Sequence, residues 1–141
     1  MLSASVTYGA DNEIYVDQSG TGANIDLEQL GISNIIGGLN STAGNLTAFD
    51  LDGTSMTLDI NMIGATNKFL GDINANSFTG LYNFTGGSNT FTIQVDPTNT
   101  YSSNSSDQNI AVTGSSNTFT LNQGTTAIAA SLNLDWIIQG S

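Results

Sequence analysis

Basic side chains are almost missing from this chain: of 141 residues one is Lys, none is Arg or His, and 12 acidic residues bring the formal net charge to −11. Binding to nucleic acid works by exchanging phosphate counterions for Lys and Arg, which a lone Lys68 cannot do. The same shortage speaks against an anionic membrane surface and against phosphorylated substrates. Cysteine is absent too, which removes disulfides, thiolate metal sites and thiol nucleophiles together. Without His or Cys no Ser–His–Asp or Cys–His arrangement can be built, and metal-assisted hydrolysis loses its commonest ligands. Acidic pairs such as Asp26/Glu28 and Asp50/Asp52 stand two residues apart, the spacing of one wet strand face, so hydrolysis by paired carboxylates is not expected either. The expectation is a protein that is not an enzyme and needs no cofactor.

Long apolar runs are also lacking. No segment approaches the length of a membrane span, and residues 1–8 carry neither the basic start nor the apolar stretch of a secretory signal. Membrane insertion is therefore not expected, and export is expected only as part of something larger. Charged residues make up 9% of the chain, against about a quarter in ordinary domains. Solubility and hydrogen bonding fall instead to Asn, Ser, Thr and Gly. One proline, Pro97, fits a strand end or edge.

What is present is short-range alternation. Ile14, Val16, Ile25 and Leu27 are separated by Glu13, Tyr15, Asp17, Asp26 and Glu28, the period of two that belongs to a strand with one buried face. The same alternation runs through residues 56–62, 91–95 and 132–138. Gly and Asn clusters at residues 19–22, 37–38, 86–88 and 114–116 punctuate it, and are expected to supply the positive φ of tight turns. Residues 25–36 are expected as strand, with a single helical turn as the alternative.

Two internal repeats organise these strands. Gln18-x-Gly20 superposes on Gln29-x-Gly31, which sets Ile14 on Ile25 and Val16 on Leu27. The octapeptide beginning at Gly86 returns twenty-eight residues later at Gly114, with six of eight positions identical, including Asn89/Asn117 and Phe91/Phe119. Short strands at such spacings with Gly/Asn corners predict an all-β fold in one domain over residues 1–141. A β-solenoid is the leading architecture, because recurring amides stack along a coil axis. An antiparallel sandwich or jelly roll is the alternative. In a two-walled coil, residues 13–17 and 26–28 would lie on opposite walls and keep their acids apart. Residues 47–83 keep the alternation but lose the repeat spacing, residues 96–108 read as an exposed loop, and residues 127–141 read as an apolar C-terminal strand that caps or docks.

Residues 12–36, with Gln18-x-Gly20 followed by Asn24 and Gln29-x-Gly31 followed by Asn34, resemble the curlin repeat Gln-x-Gly-x-x-Asn of bacterial amyloid fibres. The first interval is one residue longer than that unit. The resemblance implies stacked strand–turn–strand coils lined by amide ladders. In composition the chain is also similar to structural proteins of tailed-phage virions, which leave the cell by lysis and need no export signal. This likeness implies a capsid decoration, a fibre or a tail appendage located in the virion. The alternatives are a curli-like extracellular surface fibre and a carbohydrate- or receptor-binding module, with Tyr82 and Tyr101 as exposed sugar-stacking candidates. Expected partners are copies of itself and neighbouring structural proteins.

Candidate residues follow from these patterns. Gln18, Asn24, Gln29, Asn34, Asn89 and Asn117 are expected in ladders, and Leu132, Leu134, Trp136 and Ile138 at an interface. Asp50 and Asp52 beside Gly53 form a partial calcium loop that lacks the third acid and the bidentate Glu, and an Asx turn is the plainer reading. Phe49, Phe69, Phe78, Phe84, Phe91 and Phe119, roughly one per coil, are expected as a core stack rather than a binding strip. Lys68 is expected to be solvated.

Overall fold

The computed structural model describes residues 2–3, 8–37, 49–95, 104–123 and 130–140, with side chains from Asn12 onward. These residues are all-β, without helix. The strands are β1 (Leu2–Ser3), β2 (Tyr8–Ile14), β3 (Asp17–Thr21), β4 (Asn24–Ile36), β5 (Phe49–Thr85), β6 (Ser88–Val95), β7 (Ser106–Thr113), β8 (Ser116–Gln123) and β9 (Asn133–Gln139). Every pairing between them is parallel. Hairpins make antiparallel neighbours, so the sandwich and jelly-roll alternatives do not describe this chain. It winds as a solenoid-like stack in which each coil lies in register on the one before. Residues 25–36 belong wholly to β4, with no helical turn.

Alternation places the core. In β4, Ile25, Leu27 and Gln29 are buried while Asn24 and Asp26 face outward. In β5, Met56, Leu58, Ile60 and Met62 repeat the pattern one coil later, because Ile25 lies on Leu58 and Leu27 on Ile60. Phe49, Phe69, Phe78, Phe84 and Phe91 are fully buried inside the coils. Ring centroids 5.4 to 5.7 Å apart link Phe49 to Phe69, Phe69 to Phe91 and Phe91 to Phe84. Tyr82 is inside as well, 2% exposed and 5.0 Å from the Phe91 ring, which corrects its expected exposure. Burial pushes its phenol pKa well up.

Coil length varies while one arc stays constant. Asn12 pairs with Asn34, Asn34 with Asn67, Asn67 with Asn89, and Asn89 with Asn117. A second corner carries positive φ at Gly22, Ser55, Ser77, Ser105 and Ser131. From that corner to the next asparagine the interval is 12 residues every time: Gly22 to Asn34, Ser55 to Asn67, Ser77 to Asn89 and Ser105 to Asn117. All variation lies on the other arc, between Gly37 and Phe49, Val95 and Asn104, and Gln123 and Ala130. The 28-residue repeat seen in the sequence is one turn of this winding, with Phe91 directly on Phe119.

The turn chemistry differs from expectation. Gly20, Gly22 and Gly37 do adopt positive φ, but Gly86, Gly87 and Gly114 do not. Four serines take the left-handed corner instead, at φ of 55 to 57°, a conformation that costs a side-chain-bearing residue about 1–2 kcal/mol. Hydrogen bonds between coils hold it: Ser77 N–H donates to Asn104 O and Ser105 N–H to Ala130 O, each at 2.8 Å. A short amide ladder supports the same corner, since Asn104 N–H donates to Asn76 Oδ1 and Ala130 N–H to Asn104 Oδ1. The expected loop at residues 96–108 lies outside the described residues as far as Ser103, and its last part is strand β7, starting at Ser106.

Residues 13–17 and 26–28 do not stack on one another, so the expected separation within a coil holds, but acids of successive coils do meet. Asp17 lies on Asp50 and Asp26 on Asp59. Other acids meet amides: Asn61 Nδ2 donates to Glu28 Oε1, Asn74 Nδ2 to Asp52 Oδ1 and Asn133 Nδ2 to Asp107 Oδ1. Partial burial, and then the Asp26 charge, raise the Asp59 carboxyl above its ordinary value. A raised folded-state pKa means the folded chain holds this proton more tightly than the unfolded chain. The contribution is therefore fully present below the ordinary carboxylate range and is lost as pH rises through the folded value. Asp59→Asn is expected to raise stability at neutral pH by about 0.5 kcal/mol, the scale of relieving a like-charge cross-strand pair. Urea midpoints should show that gain at neutral pH and lose it in acid.

Candidate interaction site at the C-terminal coil

The side-chain ladder that joins the coils runs through asparagines. Nδ2 of Asn12 donates to Oδ1 of Asn34 at 3.0 Å, and the same bond at 2.9 Å links Asn34 to Asn67, Asn67 to Asn89 and Asn89 to Asn117. Asn34, Asn67 and Asn89 are therefore each acceptor to one coil and donor to the next. Three residues before each stands a glycine, at Gly9, Gly31, Gly64, Gly86 and Gly114. At Gly64, Gly86 and Gly114 a Cβ would strike the carbonyl oxygen of the glycine one coil earlier. The corner unit is thus Gly-x-x-Asn, with glycine chosen for close stacking and asparagine for the ladder. Asn67→Ala removes the acceptor for Asn34 and the donor to Asn89 and Thr85 O. With two buried polar groups disturbed, a loss of about 3 kcal/mol is expected, against about 1 kcal/mol for Asn117→Ala at the ladder's end. Chemical denaturation of the two variants measures the difference.

Of the ladder residues expected from sequence, Asn34, Asn89 and Asn117 lie in this row, and the structure adds Asn12 and Asn67. Gln18 and Gln29 are not stacked on each other: Gln18 lies on Leu51 and Gln29 on Met62. Ile25 accordingly has Leu2 as its earlier neighbour rather than Ile14. Gln29 is buried and donates to Asn12 O and Ile35 O, holding one corner together, while Gln18 donates to its neighbour Ser19 O. Asn24 is exposed at the start of β4, beside Thr57. An eleven-residue superposition fails because one coil takes at least 22 residues. The signal that would have found the ladder is Gly-x-x-Asn at unequal intervals.

Asp50 and Asp52 sit in β5 paired to β3, so no Asx turn forms there. Asn74 Nδ2, one coil on, donates to Asp52 Oδ1 at 2.8 Å and to Asp50 Oδ1 at 3.4 Å. Among the described residues no group of three or more His, Cys, Asp or Glu is placed to hold a metal ion. Lys68 lies between Ile35 and Thr90 in the stack, half-buried. Tyr101 lies outside the described residues.

Among the described residues, the C-terminal coil leaves its inward side chains exposed. β9 pairs along one edge with β7, placing Leu134 on Gln108, Trp136 on Ile110 and Ile138 on Val112. Those β7 residues are at most 1% exposed, whereas Leu134, Trp136 and Ile138 are 48%, 38% and 47% exposed. The inward row of β9 therefore continues the core, and no coil of the described residues lies above it. Phe119, partly buried in β8, joins the same surface through an edge contact with Trp136 at 5.5 Å. Leu132 and Ile137 are also half exposed. In chemical terms the surface offers apolar contact plus a row of backbone donors and acceptors that no other described strand pairs, the two things a β-edge binds with. No family model, curated protein or solved structure matches this chain, so this geometry carries the functional argument.

Proposed function

We propose that this chain is a structural assembly protein that docks end-on, its C-terminal coil receiving a β-edge and an apolar face from a neighbour in a larger particle. The single observation behind this reading is the open inward row Leu134, Trp136 and Ile138, whose counterparts one coil inward are completely buried. Apolar core left uncovered favours association, while the acidic flanks keep free copies soluble. The setting we propose is a phage virion, where a capsid decoration, fibre or tail appendage acts by summing weak contacts over symmetric copies. The near absence of cations fits a partner that is a protein rather than nucleic acid. Leu134→Ser with Ile138→Ser is the test, scored by the protein remaining on purified particles. Loss from the particles with the circular dichroism spectrum unchanged supports the reading. Undiminished retention of the double variant, or failure of the parent protein to join particles, overturns it.

A further inference from the structure

Resting on that reading of the C-terminal coil, we propose that the surface pairs with a second copy of itself, tail to tail about a twofold axis, with β9 antiparallel to the partner's β9. Three observations carry this. The inward row of β9 is 38% to 48% exposed, and a closed twofold pair covers that one surface on both copies at once without calling on any other face.

Charge points the same way. Nine of the 12 acidic residues lie between Asp11 and Asp72, and the sole cation, Lys68, belongs to that same half. Joining two N-terminal ends would bring the most acidic parts together, and head-to-tail contact would offer them no compensating positive charge. Tail-to-tail contact sets the acidic halves farthest apart.

Register supplies the third argument. Trp136 is the midpoint of Asn133–Gln139, so an antiparallel pair centred there aligns all seven residues. Leu134 then faces the partner's Ile138, Trp136 faces the partner's Trp136, and Asp135 faces the partner's Ile137. Inward residues meet inward residues because the side-chain period is two. A pair centred on Asp135 would instead oppose two carboxylates, which is unfavourable.

The chain has no cysteine, so an engineered pair reports the register directly. In Asp135→Cys with Ile137→Cys, each thiol faces the other type across the axis at roughly 5 Å between Cβ atoms, within reach of a disulfide after slight adjustment. The parent protein is expected to run in light scattering at twice its 14.6 kDa chain mass, the double-cysteine variant to become a covalent dimer on mild oxidation, and each single-cysteine variant to cross-link far less. Leu134→Ser with Ile138→Ser should run as a monomer. A parent protein that stays monomeric at every concentration overturns the self-pairing, while particle retention still decides the docking reading separately. Open-ended polymers, or dimers that the paired cysteines fail to lock, overturn the tail-to-tail geometry.

Discussion

Gly86→Ala is expected to unfold the protein or to cost at least about 4 kcal/mol, the range reserved for substitutions that the backbone cannot accommodate. A methyl group there runs into the Gly64 carbonyl oxygen one coil earlier and comes within 2.9 Å of Asn67 Nδ2. Neither obstacle is the far end of a flexible side chain. The carbonyl is part of the stacked backbone, and the amide is held at both sides by the asparagine ladder. The strand spacing of about 4.8 Å leaves no slack in that direction. Gly87→Ala is the control: its added Cβ meets only Ala65 O at 3.3 Å, so little loss is expected there. Guanidinium melts of the two variants give the comparison, and equal midpoints would remove the close-stacking explanation for the glycine row.

Phe91→Ala is expected to cost about 3–5 kcal/mol, the usual range for a fully buried aromatic. Its ring is the hub of the core, with centroids at 5.6 Å from Phe69, 5.0 Å from Tyr82, 5.7 Å from Phe84 and 6.1 Å from Phe119. Removing it leaves a cavity spanning neighbouring coils, which stacked backbone cannot collapse to fill. Phe119→Ala should cost clearly less, because that ring is only partly buried at the open end. Tyr82→Phe isolates the polar contribution. The Tyr82 hydroxyl is buried and makes no hydrogen bond among the described residues, so its removal should be neutral or stabilising by about 1 kcal/mol. Thermal melts rank the three.

Much of this could be read from residues alone, and the reason is local. Alternation in residues 24–30 and 56–62 marks which side chains are buried, since a strand's geometry reverses direction at each residue. The Phe91/Phe119 repeat was legible because the coil between them takes the same corner residues in the same order. Asn67 was missed because the arc before it carries a long insertion that hides the interval from Asn34. The Gln18/Gln29 match misled for the opposite reason: eleven residues is about half a coil, so similar strands on different sides of one turn look like a stacked pair.

The sequence by itself determined the all-β class, the buried face of the strands at residues 25–27, 56–62 and 91–95, the aromatic core and the lack of chemistry that needs His, Cys or Arg. Short-range physics settles those, through side-chain alternation and the residue types available. Only the tertiary structure decided which residues stack on which, that serines take four of the five left-handed positions at the second corner, and that the inward row of β9 stands open. Those outcomes depend on how many residues each coil uses to close, a length set by arcs far apart in the chain, and no window of sequence contains it.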